Sequence, residues 1–260
     1  MVKPPHIRNG FTLIELMVAI TVGLFMSLVM VGYFTKAMRS AAVLRSENRI
    51  VISAQNAQSL LIQAAREAGS GNIVNSDVPF YIGDCGSWSP CTSNGAGTNS
   101  DRIAVLLYPE NQKTCGNTSV DEGEQIANVY YQALQSGIGA LFCRGFSLET
   151  MTWIESPIIL SKGVENLQIL YRVNDTDSAT YKIVNANNVS AVGGNIELGW
   201  DRVRAVHFSI LISDGLGSAT PQTPRTQSFN LADTATQTFT DGILRRAYSS
   251  QAVVFSKMGQ

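Results

Sequence analysis

One carboxylate near the N-terminus stands where a charge is costly. Glu15 lies at the start of an apolar run, and the nineteen residues from Leu16 to Phe34 carry no charge. A helix over that run is about 28 Å long, close to the hydrocarbon thickness of a bilayer. An ionised group at such a position is tolerated when a partner neutralises it. The chemistry that Glu15 predicts is therefore ion pairing rather than catalysis.

Four cysteines form the second group of reactive side chains. Cys85, Cys91, Cys115 and Cys143 all follow the apolar run, and the basic N-terminus predicts that this part lies outside the cytoplasm. An even count in an oxidising compartment favours disulfides, and three pairings are compatible with it. We expect Cys85–Cys91, whose intervening glycine and proline favour a return of the chain, and Cys115–Cys143. Crossed pairings would tie the Gly- and Asn-rich stretch 69–101 to the sheet twice, which its composition does not favour.

No other arrangement of residues indicates catalysis or a cofactor. The two histidines are His6 and His207, and a lone histidine on a strand is more often packed or exposed than a general base. The sequence has no glycine-rich phosphate loop and no zinc-binding spacing. Asp175-Thr176-Asp177-Ser178 alternates side-chain oxygens but lacks the glycine and the distal glutamate of a calcium loop. We expect neither enzymatic activity nor a metal or other cofactor.

The net charge of −1 is unevenly distributed along the 260 residues. Residues 1–68 carry seven Lys and Arg against three Glu, whereas residues 69–260 carry twelve against seventeen acidic residues. A mildly acidic C-terminal part does not indicate nucleic-acid binding, because phosphate contacts need clustered Lys and Arg. This part is long enough to bury the core of one domain.

The elements that position these residues begin with one long helix. Neither proline nor glycine occurs between Gly32 and Gly69, so the sequence predicts a single helix over Phe11–Ala68. Its first part, about 11–34, has the composition of a membrane span, and its second part, about 35–68, is amphipathic. At Gly32 both a straight helix and a bend are compatible with the sequence. The apolar stripe of the second part consists of Val43, Ile50, Ala54, Ala57, Leu61, Ala64 and Ala68, with Glu47 interrupting it.

After residue 68 the pattern changes to loops and then to strands. The small residues of the helix stripe favour packing against a sheet over a free coiled coil. Residues 69–101 are rich in Gly, Ser, Asn and Pro and are expected to form a long exposed loop. From Arg102 onward a two-residue period predicts a mostly antiparallel sheet. The predicted strands are Ile103–Tyr108, Ile126–Tyr131, Ala140–Leu148, Trp153–Ile154, Ile158–Leu160, Leu167–Val173, Tyr181–Val184 and Val203–Ser213, with two more near Gln227–Leu231 and Leu244–Phe255.

The predicted fold class is therefore α+β. A long N-terminal helix, transmembrane and then amphipathic, packs on a mostly antiparallel β-sheet head domain at residues 69–260.

The segment Gly10-Phe11-Thr12-Leu13-Ile14-Glu15 resembles the class III signal of type IV prepilins. In that family a prepilin peptidase cuts after the glycine and methylates the new N-terminus. The resemblance implies a leader peptide at residues 1–10, cleavage after Gly10 and methylation of Phe11. It also implies that Glu15 pairs with the N-terminal amine of a neighbouring subunit. An ordinary secretory signal has a shorter apolar core, and a plain signal anchor gives no reason for Glu15.

Three phrases in the head resemble PilW-type minor pilins. They are Gly163–Gln168 before Tyr171, Trp200–Val206 and Asp241–Arg246. The resemblance implies a minor pilin that primes assembly of a type IV pilus and is incorporated in or near the fibre tip, with roles in twitching motility and cell adhesion. Two alternatives are a minor pseudopilin of a type II secretion system and a signal-anchored periplasmic binding or enzyme domain.

The same resemblance implies a location and a set of partners. The protein would enter the bacterial inner membrane as a single span, with a cytoplasmic N-terminus before cleavage, and then join the extracellular pilus. Its partners would be the prepilin peptidase, the inner-membrane assembly platform, other minor pilins and the major pilin.

Overall fold

The computed structural model describes residues 11–70, 78–107, 113–175, 180–193, 196–214 and 224–255. The leader with Gly10 lies outside the described residues, and so do residues 176–178 of the Asp175-Thr176-Asp177-Ser178 run. The chain divides into two compact units, residues 1–45 and residues 46–260.

One helix, α1, extends from Leu13 to Glu67. Its bounds differ from the predicted Phe11–Ala68 by two residues at the start and one at the end. The helix continues through Gly23 and Gly32, and a Cβ at either glycine would meet nothing within 4 Å. No neighbouring group therefore requires glycine at these two positions.

From Ser46 onward one face of α1 is buried in the second unit. Six residues of the predicted stripe, namely Ile50, Ala54, Ala57, Leu61, Ala64 and Ala68, each expose at most 4% of their surface. The alanines among them let the helix approach the strands closely, because they add little bulk between the two backbones. The predicted packing of this half of the helix on the head is confirmed.

The first sheet contains five antiparallel strands. They are β1 (Arg102–Leu107), β2 (Ile126–Gln135), β3 (Ile138–Ser147), β4 (Thr152–Trp153) and β5 (Ile158–Lys162). Their order is β1-β2-β3-β4, and β5 also pairs with β3. The hairpin β2–β3 turns at Ser136 and Gly137, both with positive φ, as a two-residue turn with the right-handed strand twist requires.

The second sheet has the order β11-β8-β6-β7. Its strands are β6 (Val164–Asn174), β7 (Tyr181–Val184), β8 (Val203–Ser213) and β11 (Arg245–Val253). Two short helices, α2 (Val189–Gly193) and α3 (Ile196–Asp201), lie between β7 and β8 in the chain, and a separate hairpin pairs β9 (Arg225–Phe229) with β10 (Gln237–Asp241).

The last third of the chain contains elements that the sequence did not predict. Three strands follow β8 among the described residues instead of the two expected, because β10 has threonines and one phenylalanine rather than an apolar face. The helices α2 and α3 were not predicted, since five and six residues are too few to show a helical period.

The expectation that residues 69–101 form an exposed loop is wrong for the described part, 78–101. Cys85 and Cys91 of this segment are completely buried in an apolar cluster with Ala104 and Ala127 on the face of the first sheet opposite α1. Phe80, at the start of the segment, is buried in the core on the helix side. The physical reason is visible in β1–β3, whose apolar residues lie on both faces of the sheet. A sheet that is apolar on both faces needs a second covering layer.

Candidate functional site

The predicted assembly residue Glu15 forms a reciprocal pair with Thr12 at the start of α1. The Glu15 backbone N–H donates to Thr12 Oγ1 over 3.3 Å. The Thr12 backbone N–H and hydroxyl both donate to Glu15 Oε2 over 3.1 Å. This is a capping box, which satisfies two of the N–H groups that the first turn of a helix leaves without partners. Thr12 was not among the predicted functional residues, although a threonine three residues before a glutamate is the sequence signal of this motif.

The capping box leaves one oxygen of Glu15 available. Oε2 accepts both bonds from Thr12, and no hydrogen bond to Oε1 is recorded from any residue that the structure describes. Phe11, the predicted first residue after cleavage, is 89% exposed. The geometry can therefore present a carboxylate oxygen to a cation from outside the chain while the helix start stays capped.

The apolar run behind Glu15 has the properties of a membrane span. Within the described residues α1 is the one helix that is long and apolar enough to cross a bilayer, with a mean hydropathy of 2.3 over its most apolar window. Length and composition near an N-terminus also fit a signal sequence. The hydroxyls of Thr21 and Ser27 donate to the carbonyls of Val18 and Gly23 over 2.9 and 2.8 Å, so neither needs water.

The structure joins Cys85 to Cys91 and Cys115 to Cys143, which is the pairing expected from the sequence. The first bond closes the segment that covers the outer face of the first sheet. Trp88, inside this ring, packs against Tyr131 and Trp153 with ring centroids 4.7 and 5.3 Å away. The ring is thus part of an aromatic cluster and not a free surface loop.

The loop of the second disulfide is fixed by a carboxylate, Glu155, that no sequence pattern marks. Glu155 accepts hydrogen bonds from the hydroxyls of Thr114 and Thr118 at 2.8 and 2.5 Å. It also accepts from the backbone N–H groups of Gly116 and Gly145 at 3.2 and 3.1 Å. Four donors on one carboxylate fix the loop that carries Cys115 against β3.

A second acidic residue joins the covering segment to β6. Asp101 is 2% exposed and accepts hydrogen bonds from the N–H groups of Gly95 and Ile169 at 2.7 and 2.6 Å. Burial raises its pKa to about 7, against the opposing effect of these two bonds and with a smaller contribution from the charge of Asp233. Beside it, Gln168 is completely buried and donates to the carbonyl of Asn99 over 2.8 Å.

Residues of the three head phrases meet in the structure. Arg245 is 5% exposed in its side chain and contacts Glu165 over 2.5 Å and Asp241 over 2.7 Å. The hydrogen bond from Arg245 lowers the pKa of Asp241, with smaller effects from the Ile243 N–H and the Arg245 charge. Trp200, from the remaining phrase, packs edge-on against Tyr171 with 4.8 Å between ring centroids. These residues stabilise the head and carry no arrangement for catalysis.

Two further features of the described residues concern possible ligand binding: groups of metal-ligating side chains and a surface cavity. Across the described ranges, no three His, Cys, Asp or Glu side chains come together as metal ligands. His207 lines a shallow cavity of about 460 Å³ on the outer face of the second sheet, together with Leu170, Ile183 and Ser209. Burial, and then the charge of Arg172, lowers the pKa of His207, so its imidazole is neutral at neutral pH.

Two family models match the chain. Residues 129–255 match the model for the type IV pilus-assembly protein W, and residues 6–31 match the prokaryotic N-terminal methylation motif. The first range contains β3, β6, β8 and the Arg245 cluster, and the second contains Gly10, Phe11 and Glu15. No curated protein and no solved structure matches the chain.

Proposed function

From the premise that this chain is a pilin-like protein of the PilW type from type IV pili, we propose that it acts as a minor pilin. It enters the inner membrane through the apolar part of α1, is processed at its N-terminus, and primes assembly of a fibre in or near whose tip it stays. This role is structural, and it requires neither a catalytic residue nor a cofactor nor nucleic acid.

Processing is assigned to the bond after Gly10. The prepilin peptidase cuts there and methylates the amine of Phe11, which becomes the first residue of the mature protein. The match of residues 6–31 to the methylation motif supports this assignment. Phe11 is strongly exposed, so its backbone is accessible at the start of the mature chain.

The observation that carries the proposal is the geometry of Glu15. Its Oε2 caps the helix through Thr12, and its Oε1 takes part in no recorded hydrogen bond with the described chain. When the apolar segment leaves lipid for a bundle of similar helices, this carboxylate needs a counter-charge, because desolvation disfavours its ionised form. The N-terminal amine of a neighbouring pilin provides that charge.

The partners follow from these steps. The peptidase and the inner-membrane assembly platform act on the membrane-inserted form, and other minor pilins and the major pilin contact the assembled form. The head is presented outside the cytoplasm, where its two disulfides are stable.

Mass spectrometry of the mature N-terminus tests the proposal. We expect N-methylated Phe11 in cells with an active prepilin peptidase and an intact Met1 terminus in cells that lack it. An intact leader in both strains would instead fit a signal-anchored domain. Deletion of the gene distinguishes a type IV pilus from a type II secretion system. Loss of twitching motility with normal protein secretion supports the pilus, and loss of protein secretion with normal motility supports the secretion system.

A further inference from the structure

The last strand, β11, forms an open edge of the second sheet. It pairs with β8 on one side only, and its register from Arg245 to Val253 is unbroken. The backbone N–H of Val254, the next residue, donates to the carbonyl of Arg204 in front of β8 over 3.0 Å. Successive residues of a strand point their backbone groups to opposite sides, so the even-numbered residues of β11 bond β8 and the odd-numbered ones point away.

The outward row consists of the N–H and C=O groups of Ala247, Ser249, Gln251 and Val253, and all four residues are exposed. A hydroxyl contact of 3.1 Å between Ser209 and Ser249 fits this assignment, because facing side chains are closest in pairs without backbone bonds. No backbone hydrogen bond to this row is recorded from the rest of the described chain.

This edge lacks the features that usually prevent pairing with another strand. From Ala247 to Val253 the strand contains no charged residue and no proline, and no bulge interrupts its pairing with β8. Natural sheets protect their free edges with lysines, prolines, bulges or a covering element. An uncharged, regular and exposed edge of this length is a site for strand addition.

A cavity lies beside this edge on the outer face of the sheet. Ser249, Ser250 and Gln251 of β11 line it on one side, and the rest of its lining consists of Leu170, Ile183, Phe208 and Ala232 together with Ser209 and the neutral His207. In strand addition, main-chain bonds supply affinity and pockets for alternate side chains supply selectivity. The lining of this cavity favours an uncharged, apolar side chain.

We propose that the edge of β11 from Ala247 to Val253 binds an extended, uncharged segment of another pilus protein as an additional strand. This inference rests on the proposed function for the source of the segment. The outward N–H and C=O groups select an extended backbone, because only such a partner matches donors and acceptors that alternate at the strand repeat.

A second copy of the chain is a poorer occupant. Glu47 pairs with Arg246 over 3.1 Å, and the Arg66 guanidinium lies 5.6 Å from the Phe255 ring centroid, so residues 47–66 of α1 run in the same direction as β11. An antiparallel pair of two β11 strands would make these helix halves antiparallel. In a bundle of similar helices that run in one direction, as proposed above for assembly, two copies therefore do not form this antiparallel pair.

Photo-crosslinking of the full-length protein in piliated cells tests the proposal. A benzophenone amino acid at Val253 should cross-link to one short segment of another pilus protein, identified by peptide mapping. The same probe at Thr238, which is exposed on the β9–β10 hairpin, is the control position and should not give that product.

Two proline variants identify the backbone groups involved. S249P and Q251P each remove an outward N–H and leave the bonds to β8 intact, and we expect at least a tenfold loss of the cross-link. S249V and Q251T keep the N–H and should retain it. Melting temperatures of the detergent-solubilised variants check folding, and S250P, which removes a bond to β8, should lower that temperature.

Three results would overturn the proposal: no cross-link from residue 253, a cross-link that maps to a second copy of this chain, or full cross-link yield in both proline variants. Measurement of pilus assembly distinguishes a failure of this strand-binding proposal from a failure of the proposed function. If E15A abolishes assembly while S249P leaves both assembly and cross-linking unchanged, the protein is a pilin and the edge is not its binding site.

Discussion

Arg245 on β11 contacts Glu165 on β6 over 2.5 Å, although 80 residues separate them in the chain. Arg245 also binds Asp241 and lies over the ring of Phe239, 4.0 Å from its centroid. One guanidinium therefore joins the edge strand of the second sheet, the start of β6 and the hairpin β9–β10. The contact joins three charged residues of two phrases that resemble PilW-type pilins, because Arg245 pairs with the carboxylates of both Glu165 and Asp241.

The first prediction concerns the stability that Arg245 provides. R245M removes a nearly buried cation and leaves Glu165 without its partner, so we expect a loss of about 3–5 kcal/mol in the free energy of unfolding. R246M is the matched control, because Arg246 makes one half-exposed ion pair with Glu47 and should cost about 1 kcal/mol or less. Thermal unfolding of the full-length variants in detergent measures the difference. Equal effects of the two substitutions would contradict a special role for the buried residue.

The regular elements were predictable because their patterns are long. The helix α1 and the strands β2, β3, β6 and β8 each extend over ten or more residues, and the sequence identified all of them, although it predicted β2 only to Tyr131 and β6 only from Leu167. The contacts that fix the head were not predictable in the same way. Asp101 meets Ile169 across 68 residues, and Thr114 meets Glu155 across 41, so no local pattern marks either carboxylate.

The covering segment 78–101 shows that amino-acid composition alone does not predict whether a segment is exposed or packed on a sheet. Its Gly, Ser and Asn residues are typical of an exposed loop, yet they let the backbone lie flat on the sheet and bond to β6. The signal that could have revealed its position was the two-sided apolar pattern of β1 rather than the segment itself. At the other end of the chain, the Thr12–Glu15 capping box was fully visible in the sequence.

The second prediction is a pH dependence that comes from Asp101. Its pKa is about 7 in the folded protein and 3.8 in an unperturbed carboxyl group. Between these values the folded state binds more protons than the unfolded state, so the contribution of Asp101 to stability falls as the pH rises from about 4 to 7. The upper bound of this contribution is about 4 kcal/mol.

D101N should remove this pH dependence. The measurement is the difference between the wild-type and D101N free energies of unfolding across this pH range, because other carboxyl groups, such as Asp241, cancel in the comparison. The N–H groups of Gly95 and Ile169 donate to different oxygens of Asp101, and asparagine keeps an acceptor for only one of them. This loss shifts the difference by an amount that does not depend on pH, so the change of the difference with pH reports the titration of Asp101. A difference that stays constant from pH 4 to 7 would show that the carboxyl group titrates normally.

The third prediction compares the two disulfides. Replacement of Cys115 and Cys143 by alanine opens a loop with a sequence separation of 28 residues, which costs about 3.5 kcal/mol in the chain-entropy model. Replacement of Cys85 and Cys91 opens a much smaller ring, worth about 2.5 kcal/mol. Both of these cysteines are completely buried, whereas in the other pair Cys143 is buried and Cys115 is partly exposed, so the packing cost is larger for the smaller ring. We therefore expect similar total destabilisation from the two double variants.

Non-reducing peptide mapping of the wild-type protein is the control for this comparison. Fragments that link Cys85 to Cys91 and Cys115 to Cys143 are expected. A fragment that links Cys85 to Cys115 or to Cys143 would contradict the pairing, and free thiols at all four positions would contradict an oxidising compartment.

The fourth prediction separates the observed role of Glu15, capping its own helix, from its proposed role, pairing with a neighbour's amine. E15A loses both the capping oxygen and the charge, and E15Q keeps an oxygen that can accept the bonds from Thr12 but has no charge. If ion pairing drives recruitment, E15A and E15Q should both leave membrane insertion and cleavage after Gly10 largely intact and reduce incorporation into pili by at least tenfold. The measurement is the ratio of protein in sheared pili to protein in the membrane fraction, with N-terminal mass spectrometry to verify cleavage.

T12V supplies the complementary case, since it removes the capping hydroxyl and keeps the charge of Glu15. Loss of an N-cap hydroxyl costs about 1 kcal/mol in helix stability, which affects the first turn and leaves the rest of a 55-residue helix in place. Incorporation of T12V into pili should therefore stay within about threefold of the wild type, far above that of E15Q. The opposite order, with E15Q assembling normally and T12V failing, would mean that Glu15 acts through the helix cap and that the neighbour's amine is not its partner.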